Sequence, residues 1–239
     1  MQTINRADFL TRYWRYKSGQ HVTILGRTGS GKTRLGYQLL EQTATPRLPV
    51  ANLVVKPRDN TARDFGAQLG LTTVRTWPPP PNPFRRRGPG WNVWPRHVFD
   101  PDIDDDHQWE VFRAAILDSY KRGHRIVYIP DVTTLTRQLN HSEHRRTLNK
   151  EVETGLSKGR AMDAGFWLDD QRPAWLTSLA YSSADHLFLA YEPDARYRKR
   201  FDEIGGIDAK IVAEAVMRLP RFHFLYIRRE DNARCVITA

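Results

Sequence analysis

The 239-residue sequence predicts an α/β fold with a mainly parallel central sheet and helices on both of its faces. Short apolar runs alternate with segments of helical periodicity along the chain, which is typical of parallel strands joined by right-handed crossovers. A glycine-rich segment at residues 26–33 lies between the first apolar run and the first long helix. No internal repeat or second domain is visible, so residues 1–239 are interpreted as one domain.

The first part of the chain contains three predicted strands and a proline-rich loop. Residues 1–20 are expected to form a helical lead-in, because their large apolar side chains have helical spacing. Strands are predicted at residues 21–25, 51–55 and 72–75, with one helix after the glycine-rich segment to about residue 43 and another at 62–69. Residues 77–95 are rich in Pro, Arg and Trp and are expected to form a protruding loop with polyproline character, since prolines disfavour helices and central strands.

The remaining chain continues the alternation. The strands are predicted at residues 96–99, 125–129, 164–168 and 186–190, and the chain ends with C-terminal strands at residues 222–239. The helices are predicted at residues 108–122, 147–160, 174–182, 195–204 and 208–217.

The composition narrows the class of protein. The net charge is +10, which indicates a polyanionic partner such as nucleic acid or an acidic surface. No apolar run approaches the roughly 20 residues that span a bilayer, and the N-terminus has no signal-peptide core. The single cysteine, Cys235, excludes an internal disulfide and suits a reducing cytoplasm. A cytoplasmic protein without a transmembrane segment is expected.

Residues 26–33 match the phosphate-binding pattern G-x-x-x-x-G-K-[ST] at every fixed position. Backbone N–H groups of such a loop, together with the helix N-terminus, surround the β-phosphate of a nucleotide. Lys32 reaches the β- and γ-phosphates and the Thr33 hydroxyl binds Mg²⁺, so ATP and Mg²⁺ are the expected cofactors. The nucleotide-binding candidates are Gly26, Arg27, Thr28, Gly29, Ser30, Gly31, Lys32, Thr33 and Arg34.

A P-loop ATPase also needs a carboxylate at the end of a neighbouring buried strand, where it orients Mg²⁺. The run at residues 126–129 is followed by Pro130 and Asp131, so Asp131 is the candidate for metal binding and catalysis. Hydrolysing enzymes usually carry a glutamate directly after the aspartate, but Val132 stands there. Asp131 could fill either position. It could also simply cap the loop, because aspartate favours such turns.

Two further catalytic candidates flank the apolar run at residues 164–168. Gln171 follows it in Asp169-Asp170-Gln171-Arg172-Pro173 and could hold the attacking water or sense the γ-phosphate. Arg160 precedes it, at the end of a predicted helix. As a helix C-terminal cation, Arg160 could serve only the helix dipole. Alternatively, it could act as an arginine finger on the nucleotide of a neighbouring subunit.

This combination resembles the FtsK/HerA superfamily of DNA-pumping ATPases, which includes chromosome translocases, conjugative coupling proteins and packaging ATPases. The resemblance covers residues 21–228 and is carried by Gly159-Arg160, the apolar run and Gln171-Arg172-Pro173, with Phe201-Asp202-Glu203-Ile204-Gly205-Gly206 similar to small phage and actinobacterial members. It implies a P-loop NTPase fold of the additional-strand, RecA-like type. It also implies a trans-acting Arg160, a sensor Gln171, and a homo-oligomeric ring of six subunits.

Two departures from the family pattern concern its carboxylates. The Asp-Glu pair is reduced to Asp131, and aligning on Leu135 would put Asp131 in the place of the glutamate. Asp170 replaces the usual threonine before Gln171. Asp169 or Asp170 could compensate for the missing acid, or could repel the triphosphate.

Several surface signals are weaker. Arg85, Arg86, Arg87 and Trp91 are candidates for DNA contact, through phosphate binding and base stacking, although a solvated loop explains them equally well. His141, Glu143 and His144 lack a clear third metal ligand and are interpreted as polar surface. The acidic run at residues 100–106 lacks the features of a calcium loop.

The sequence therefore predicts an ATP-binding, ATP-hydrolysing DNA translocase or packaging motor that acts as a ring, with DNA as its partner. A membrane or portal docking partner is compatible with this interpretation but cannot be identified. The alternative is a nucleotide-gated DNA-binding or assembly factor of the same fold with weak or lost hydrolysis. A P-loop kinase is disfavoured by the Gln-Arg-Pro segment and by the absence of an obvious lid.

Overall fold

The structure, a computed structural model, describes residues 1–80, 88–96, 106–137, 147–204 and 208–239, apart from the side chains of residues 106 and 173. Within these residues ten strands form one sheet with the order β1-β10-β9-β8-β2-β7-β6-β3-β5-β4. The strands are β1 Gln2–Asn5, β2 Val22–Leu25, β3 Val50–Leu53, β4 Thr72–Val74, β5 Gly90–Val93, β6 Arg125–Ile129, β7 Ala164–Asp170, β8 His186–Leu189, β9 Phe224–Arg228 and β10 Ala233–Thr238.

The sheet is parallel from β8 to β4 and changes direction only at one edge. Strands β8, β2, β7, β6, β3, β5 and β4 pair in parallel, whereas β9 is antiparallel to both β8 and β10. Strand β7 lies between β2 and β6. An inserted strand at this place is the feature of the additional-strand class, so the predicted fold type is confirmed.

Helices cover both faces of the sheet. The α-helical segments are α1 Arg6–Asp8, α2 Lys32–Thr43, α3 Asn60–Leu69, α4 Asp106–Arg122, α5 Thr133–Thr136, α6 Asn149–Lys158, α7 Ser178–Ser182, α8 Ala195–Arg198 and α9 Ala209–Met217. Shorter helical turns of other types occupy Phe9–Tyr13, Gly159–Met162, Pro173–Trp175 and Lys199–Ile204.

Two hydrophobic clusters lie on opposite faces of the sheet, and β7 contributes side chains to both. Phe166 and Leu168 point into the cluster formed with α4, α6 and α9, whereas Trp167 points into the cluster formed with α2 and α3. Side chains alternate between the faces of a strand, and a central parallel strand is covered on both. This double burial explains why the central strands are continuous apolar runs in the sequence.

Two predicted segments are corrected by the structure. The lead-in at residues 1–20 is not helical throughout, because residues 2–5 form β1 and pair with β10 at the other end of the chain. The loop predicted at residues 77–95 contains strand β5, which lies between β3 and β4. The predicted strand at residues 96–99 falls largely outside the described residues, as do residues 81–87 and 138–146.

Candidate nucleotide-binding site

The P-loop, residues 26–33, connects β2 to the N-terminus of α2. Gly29 and Gly31 have φ values of 76° and 88°, which a residue with a side chain adopts at a steric cost. The Gly26 N–H donates to the carbonyl oxygen of Asp170 at 3.1 Å, which ties the start of the loop to β7. Lys32 is buried, whereas Arg27, Thr28 and Arg34 are exposed. The loop therefore has the shape and the cation needed to hold a polyphosphate.

The carboxylate that contacts the P-loop belongs to Asp169, at the end of β7. Parallel pairing of β2 with β7 places Ile24 beside Asp169. The Thr33 hydroxyl donates to Asp169 Oδ2 at 2.9 Å, and the Tyr128 hydroxyl donates to the same oxygen at 3.0 Å. The backbone N–H of Asp131 donates to Asp169 Oδ1 at 3.2 Å. Burial raises the pKa of Asp169, and the charge of Lys32 opposes this rise.

Asp170 has a different role from its neighbour. Its carboxylate accepts hydrogen bonds from the Thr133 backbone N–H at 2.8 Å, from the Thr133 hydroxyl, and from the Arg172 N–H at 2.7 Å. Burial raises its pKa, and these donors counteract the rise. Successive side chains of a strand point in opposite directions. Asp170 thus fastens the loop after β6 and does not contact the P-loop side chains.

Asp131 lies directly after β6, with a positive φ of 59° that aspartate tolerates better than most residues. Its Oδ2 accepts a hydrogen bond from Gln171 Nε2 at 3.3 Å and lies 3.9 Å from Lys56 Nζ. The Gln171 Oε1 in turn accepts from the Thr28 hydroxyl. Val132 is buried in the hydrophobic core, so the position after Asp131 does not face this site. The structure brings Asp131, Gln171 and the P-loop together.

Arg160 lies at the other end of β7, in the helical turn Gly159–Met162 that precedes the strand. Its guanidinium pairs with Asp185, whose Oδ2 also accepts the His21 backbone N–H at 2.8 Å. The Arg160 side chain remains 63% exposed. β7 has seven residues, so at roughly 3.3 Å per residue about 20 Å separate its two ends. Arg160 is therefore not brought to the P-loop of its own chain.

The structure corrects the environment proposed for Trp91. This residue lies in β5, where its ring is perpendicular to that of Trp77 at 5.4 Å and is covered by the Arg125 guanidinium at 5.2 Å. The ring is therefore half-buried in a strand and does not project from a loop. Arg85, Arg86 and Arg87 lie outside the described residues.

Other sequence signals are placed as follows. Cys235 is buried in β10, and burial raises the pKa of its thiol to about 11, as expected for a packed side chain. His141, Glu143 and His144 lie outside the described residues, as does the acidic run except for residue 106. The described part of the chain contains no group of three or more His, Cys, Asp or Glu side chains arranged for a metal. None of the helices described combines the length and apolar character of a membrane span.

Sequence reasoning missed a second wall of the site. A cavity of about 560 Å³ adjoins Arg27, Thr28, Gly29 and Ser30 and is completed by Ala190, Tyr191, Leu219, Pro220, Arg221 and Phe222. Phe222 has a positive φ of 65° and lies under the Arg221 guanidinium at 4.6 Å. Its position beside the P-loop suits the base or ribose of a nucleotide. The sequence analysis had placed residue 222 at the start of the predicted C-terminal strands, whereas in the structure Phe222 precedes β9.

The donor set also fits Mg²⁺. Thr33 offers a hydroxyl oxygen and Asp169 a carboxylate, and oxygen ligands of this kind, completed by water and phosphate oxygens, are those that Mg²⁺ prefers.

The arrangement of P-loop, inserted strand and terminal carboxylates defines a P-loop ATPase fold of the additional-strand class. More particularly, the fold is similar to that of solved genome-packaging and conjugation-coupling proteins. The genome packaging NTPase B204 of Sulfolobus turreted icosahedral virus 2, bound to AMPPCP, has a TM-score of 0.63 and 16% identity, over 93% of this chain and 98% of that chain.

Two further solved structures have a similar fold. The conjugation coupling protein TcpA of pCW3, solved with ATPγS, has a TM-score of 0.59 and 16% identity, over 92% of this chain and 60% of that chain. VirB4 of Thermoanaerobacter pseudethanolicus has a TM-score of 0.62 and 7% identity, over 91% of this chain and 88% of that chain. No protein-family model matches the sequence, and no curated protein matches it. At these identities the likeness establishes the fold.

Proposed function

We propose that this protein is the ATP-hydrolysing subunit of a DNA translocation or packaging motor. The observation that carries this proposal is β7, which presents Asp169 and Gln171 beside the P-loop at one end and an exposed Arg160 at the other. A strand with this arrangement lets one subunit bind a nucleotide and act on the nucleotide of the next. We therefore expect a homo-oligomeric ring, and the family resemblance favours six subunits.

ATP and Mg²⁺ are the proposed cofactors. Lys32 and the N–H groups of the P-loop would neutralise the phosphates, and Thr33 with Asp169 would hold Mg²⁺, which supplies further neutralisation of developing charge. Asp131 and Gln171 would hold the attacking water, because their side chains are hydrogen-bonded to each other beside Thr28. Arg160 would complete the site of an adjacent subunit.

DNA is the proposed substrate of the motor. The net charge of +10 favours a polyanion, and the structurally similar B204 protein is described as a DNA-packaging ATPase. Arg85, Arg86, Arg87 and Trp91 remain the candidate DNA contacts, with Trp91 packed against Trp77 in β5. The single cysteine supports a cytoplasmic location. A membrane or portal protein would be the docking partner of such a ring.

The test is ATP turnover by the wild-type protein with and without duplex DNA, with Lys32→Ala as the control. A motor requires turnover that DNA stimulates and that Lys32→Ala abolishes. Nucleotide binding without DNA-stimulated turnover would instead identify a nucleotide-gated assembly factor. Transfer of the γ-phosphate to a nucleoside or metabolite would identify a kinase and contradict the proposal.

A further inference from the structure

The acidic pair that the family places after one strand is divided between two strands in this chain. We propose that Asp169, from β7, occupies the metal-shell position beside Thr33, and that Asp131, after β6, occupies the position that orients the attacking water. This assignment rests on the proposed ATP-binding function and specifies how the site is built. It also distinguishes the two roles that the sequence left open for Asp131.

The first argument is contact with the P-loop hydroxyl. Asp169 Oδ2 lies 2.9 Å from Thr33 Oγ1, and it accepts the hydroxyl hydrogen. A hydroxyl whose hydrogen is donated in this way keeps its oxygen lone pairs for a cation. Asp131 turns its backbone N–H to Asp169, while its carboxylate is hydrogen-bonded to Gln171. Asp131 therefore reinforces the position of Asp169 and does not compete for it.

The second argument is that several residues hold the Asp169 carboxylate in one orientation. Tyr128, which is fully buried, donates to the same oxygen as Thr33. Tyr128 reaches this place only because residue 36 in α2 is glycine: a Cβ there would lie 2.4 Å from the Tyr128 hydroxyl oxygen. A carboxylate that receives three hydrogen bonds and faces Lys32 is held in place before any ligand arrives.

The third argument excludes the neighbouring acid. Asp170 is directed to Thr133 and to the Arg172 N–H, so its acceptor sites are used by the loop after β6. Of the two adjacent acids in β7, only Asp169 lies on the P-loop side. Asp170 therefore provides a matched control, since it is also buried, acidic and located on the same strand.

The experiment measures how much Mg²⁺ strengthens the binding of AMPPCP, as the ratio of the dissociation constants in EDTA and in Mg²⁺. In Asp169→Asn this ratio should fall about tenfold, because a lost outer-shell carboxylate typically costs 10- to 100-fold in metal affinity. In Asp131→Asn and Asp170→Asn it should stay within about twofold of wild type. Tyr128→Phe removes one donor to Asp169 and should lower the ratio by a smaller factor.

The possible outcomes separate the two proposals. Loss of the Mg²⁺ effect in Asp131→Asn with its retention in Asp169→Asn would overturn the assignment and leave ATP binding intact. Failure of the wild-type protein to bind AMPPCP at all would overturn the proposed function itself. The amide introduced by Asp169→Asn keeps one acceptor oxygen, for Thr33 and Tyr128, but turns its NH2 group towards the Asp131 N–H, so the thermal unfolding midpoint without nucleotide should fall while the variant stays folded. If Asp169→Asn does not fold, the same ratio of dissociation constants is measured in Tyr128→Phe. A ratio equal to that of the wild type would then contradict the proposal.

Discussion

The two ends of β7 differ in how completely this chain surrounds them. At the carboxyl end, Asp169, Asp170 and Gln171 are all hydrogen-bonded to side chains or N–H groups of their own subunit. At the amino end, Arg160 pairs with Asp185, and most of its side chain is exposed. The first end is thus assembled within the subunit, whereas the second presents a cation outward. This difference is what a ring that shares its active sites between subunits requires.

The electrostatic environment of the amino end supports the same distinction. His21 is buried there, and burial lowers its pKa to about 4, so its ring is neutral near pH 7. Its Nδ1 accepts the Phe166 N–H at 3.1 Å, which fastens the start of β7. Asp185 pairs with Arg160 and also interacts electrostatically with Arg229, so this buried carboxylate keeps a second cation nearby when the exposed Arg160 side chain turns outward.

The largest effect is expected from Lys32→Ala at the carboxyl end. Because Lys32 is the buried cation of the P-loop, its loss should abolish ATP turnover and weaken ATP binding at least about a hundredfold, as expected for a charge-assisted phosphate contact. Calorimetric titration with AMPPCP measures the binding. Lys56→Ala, which removes an exposed lysine at the same edge, is the control and should retain binding. Unchanged ATP affinity in Lys32→Ala would remove the basis of the site.

The next effect tests the amino end. Arg160→Ala should lower turnover by the assembled protein about a thousandfold, the lower range for an arginine finger, because the cation would stabilise the γ-phosphate of the next subunit. Nucleotide binding by an isolated subunit should not change, since Arg160 precedes β7 and its own P-loop adjoins the other end of this strand, which is about 20 Å long. Lys158→Ala removes a neighbouring exposed charge and should leave turnover near wild type.

Mixing experiments distinguish action in trans from simple loss of the pair with Asp185. Rings that combine Arg160→Ala with Lys32→Ala subunits contain some interfaces with an intact lysine and an intact arginine. Those rings should recover part of the wild-type activity. Absence of any recovery in rings verified as mixed would argue that Arg160 acts only within its own subunit.

A smaller loss is expected from Asp131→Asn. If Asp131 orients the water, turnover should fall by about a hundredfold or more, the usual contribution of a positioned general base. Binding of AMPPCP with Mg²⁺ should remain, because Asp131 does not contact Thr33. Single-turnover kinetics measures the chemical step directly. A variant that hydrolyses ATP at the wild-type rate would show that the carboxylate merely caps the loop after β6.

Much of the fold could be predicted because its central strands are buried on both faces and appear as apolar runs. The apolar run at residues 164–168 predicted β7, and the P-loop was predicted from its glycine pattern, whereas the position of a strand inserted between β2 and β6 was implied only by the family resemblance. Strand β1 could not be predicted, because it pairs with β10 at the opposite end of the chain. Strand β5 was hidden by its proline-rich surroundings, and it starts at Gly90, where a Cβ would lie 2.1 Å from the Val50 carbonyl oxygen.

The candidate site was predicted less completely than the fold. Gln171 and Asp131 were selected from their places after strands, and the structure brings them together. The distinct roles of Asp169 and Asp170 could not be predicted from the sequence, because the face of the sheet on which each side chain lies depends on the register of β7 against β2. Tyr128 and Gly36 were invisible for a similar reason, since their approach depends on how α2 packs on the sheet.

The smallest effect is expected on DNA binding, from substitutions of arginines that belong to neither end of β7. Replacing Arg85, Arg86 and Arg87 with alanine should weaken DNA binding and flatten its salt dependence. Each lost phosphate contact lowers the slope of log affinity against log salt by about 0.7–0.9, so the triple variant should change it by about 2 to 3. AMPPCP binding should not change, because none of these arginines belongs to the P-loop or to β7.

A second basic cluster, at residues 196–200, provides the matched comparison. Arg196 pairs with Asp194 at 2.8 Å and Arg200 with Glu203 at 2.9 Å, so much of the charge of this cluster is already compensated within the chain. Alanines at residues 196, 198, 199 and 200 should therefore alter the salt slope less than the triple variant does. Fluorescence anisotropy with labelled duplex DNA across a salt series measures both slopes. Equal affinity and slope in the triple variant and the wild type would show that Arg85, Arg86 and Arg87 are only a solvated surface. A larger change from the second cluster would instead place the DNA contact at the mouth of the nucleotide site, where Tyr197 and Asp194 adjoin Arg27 and Thr28.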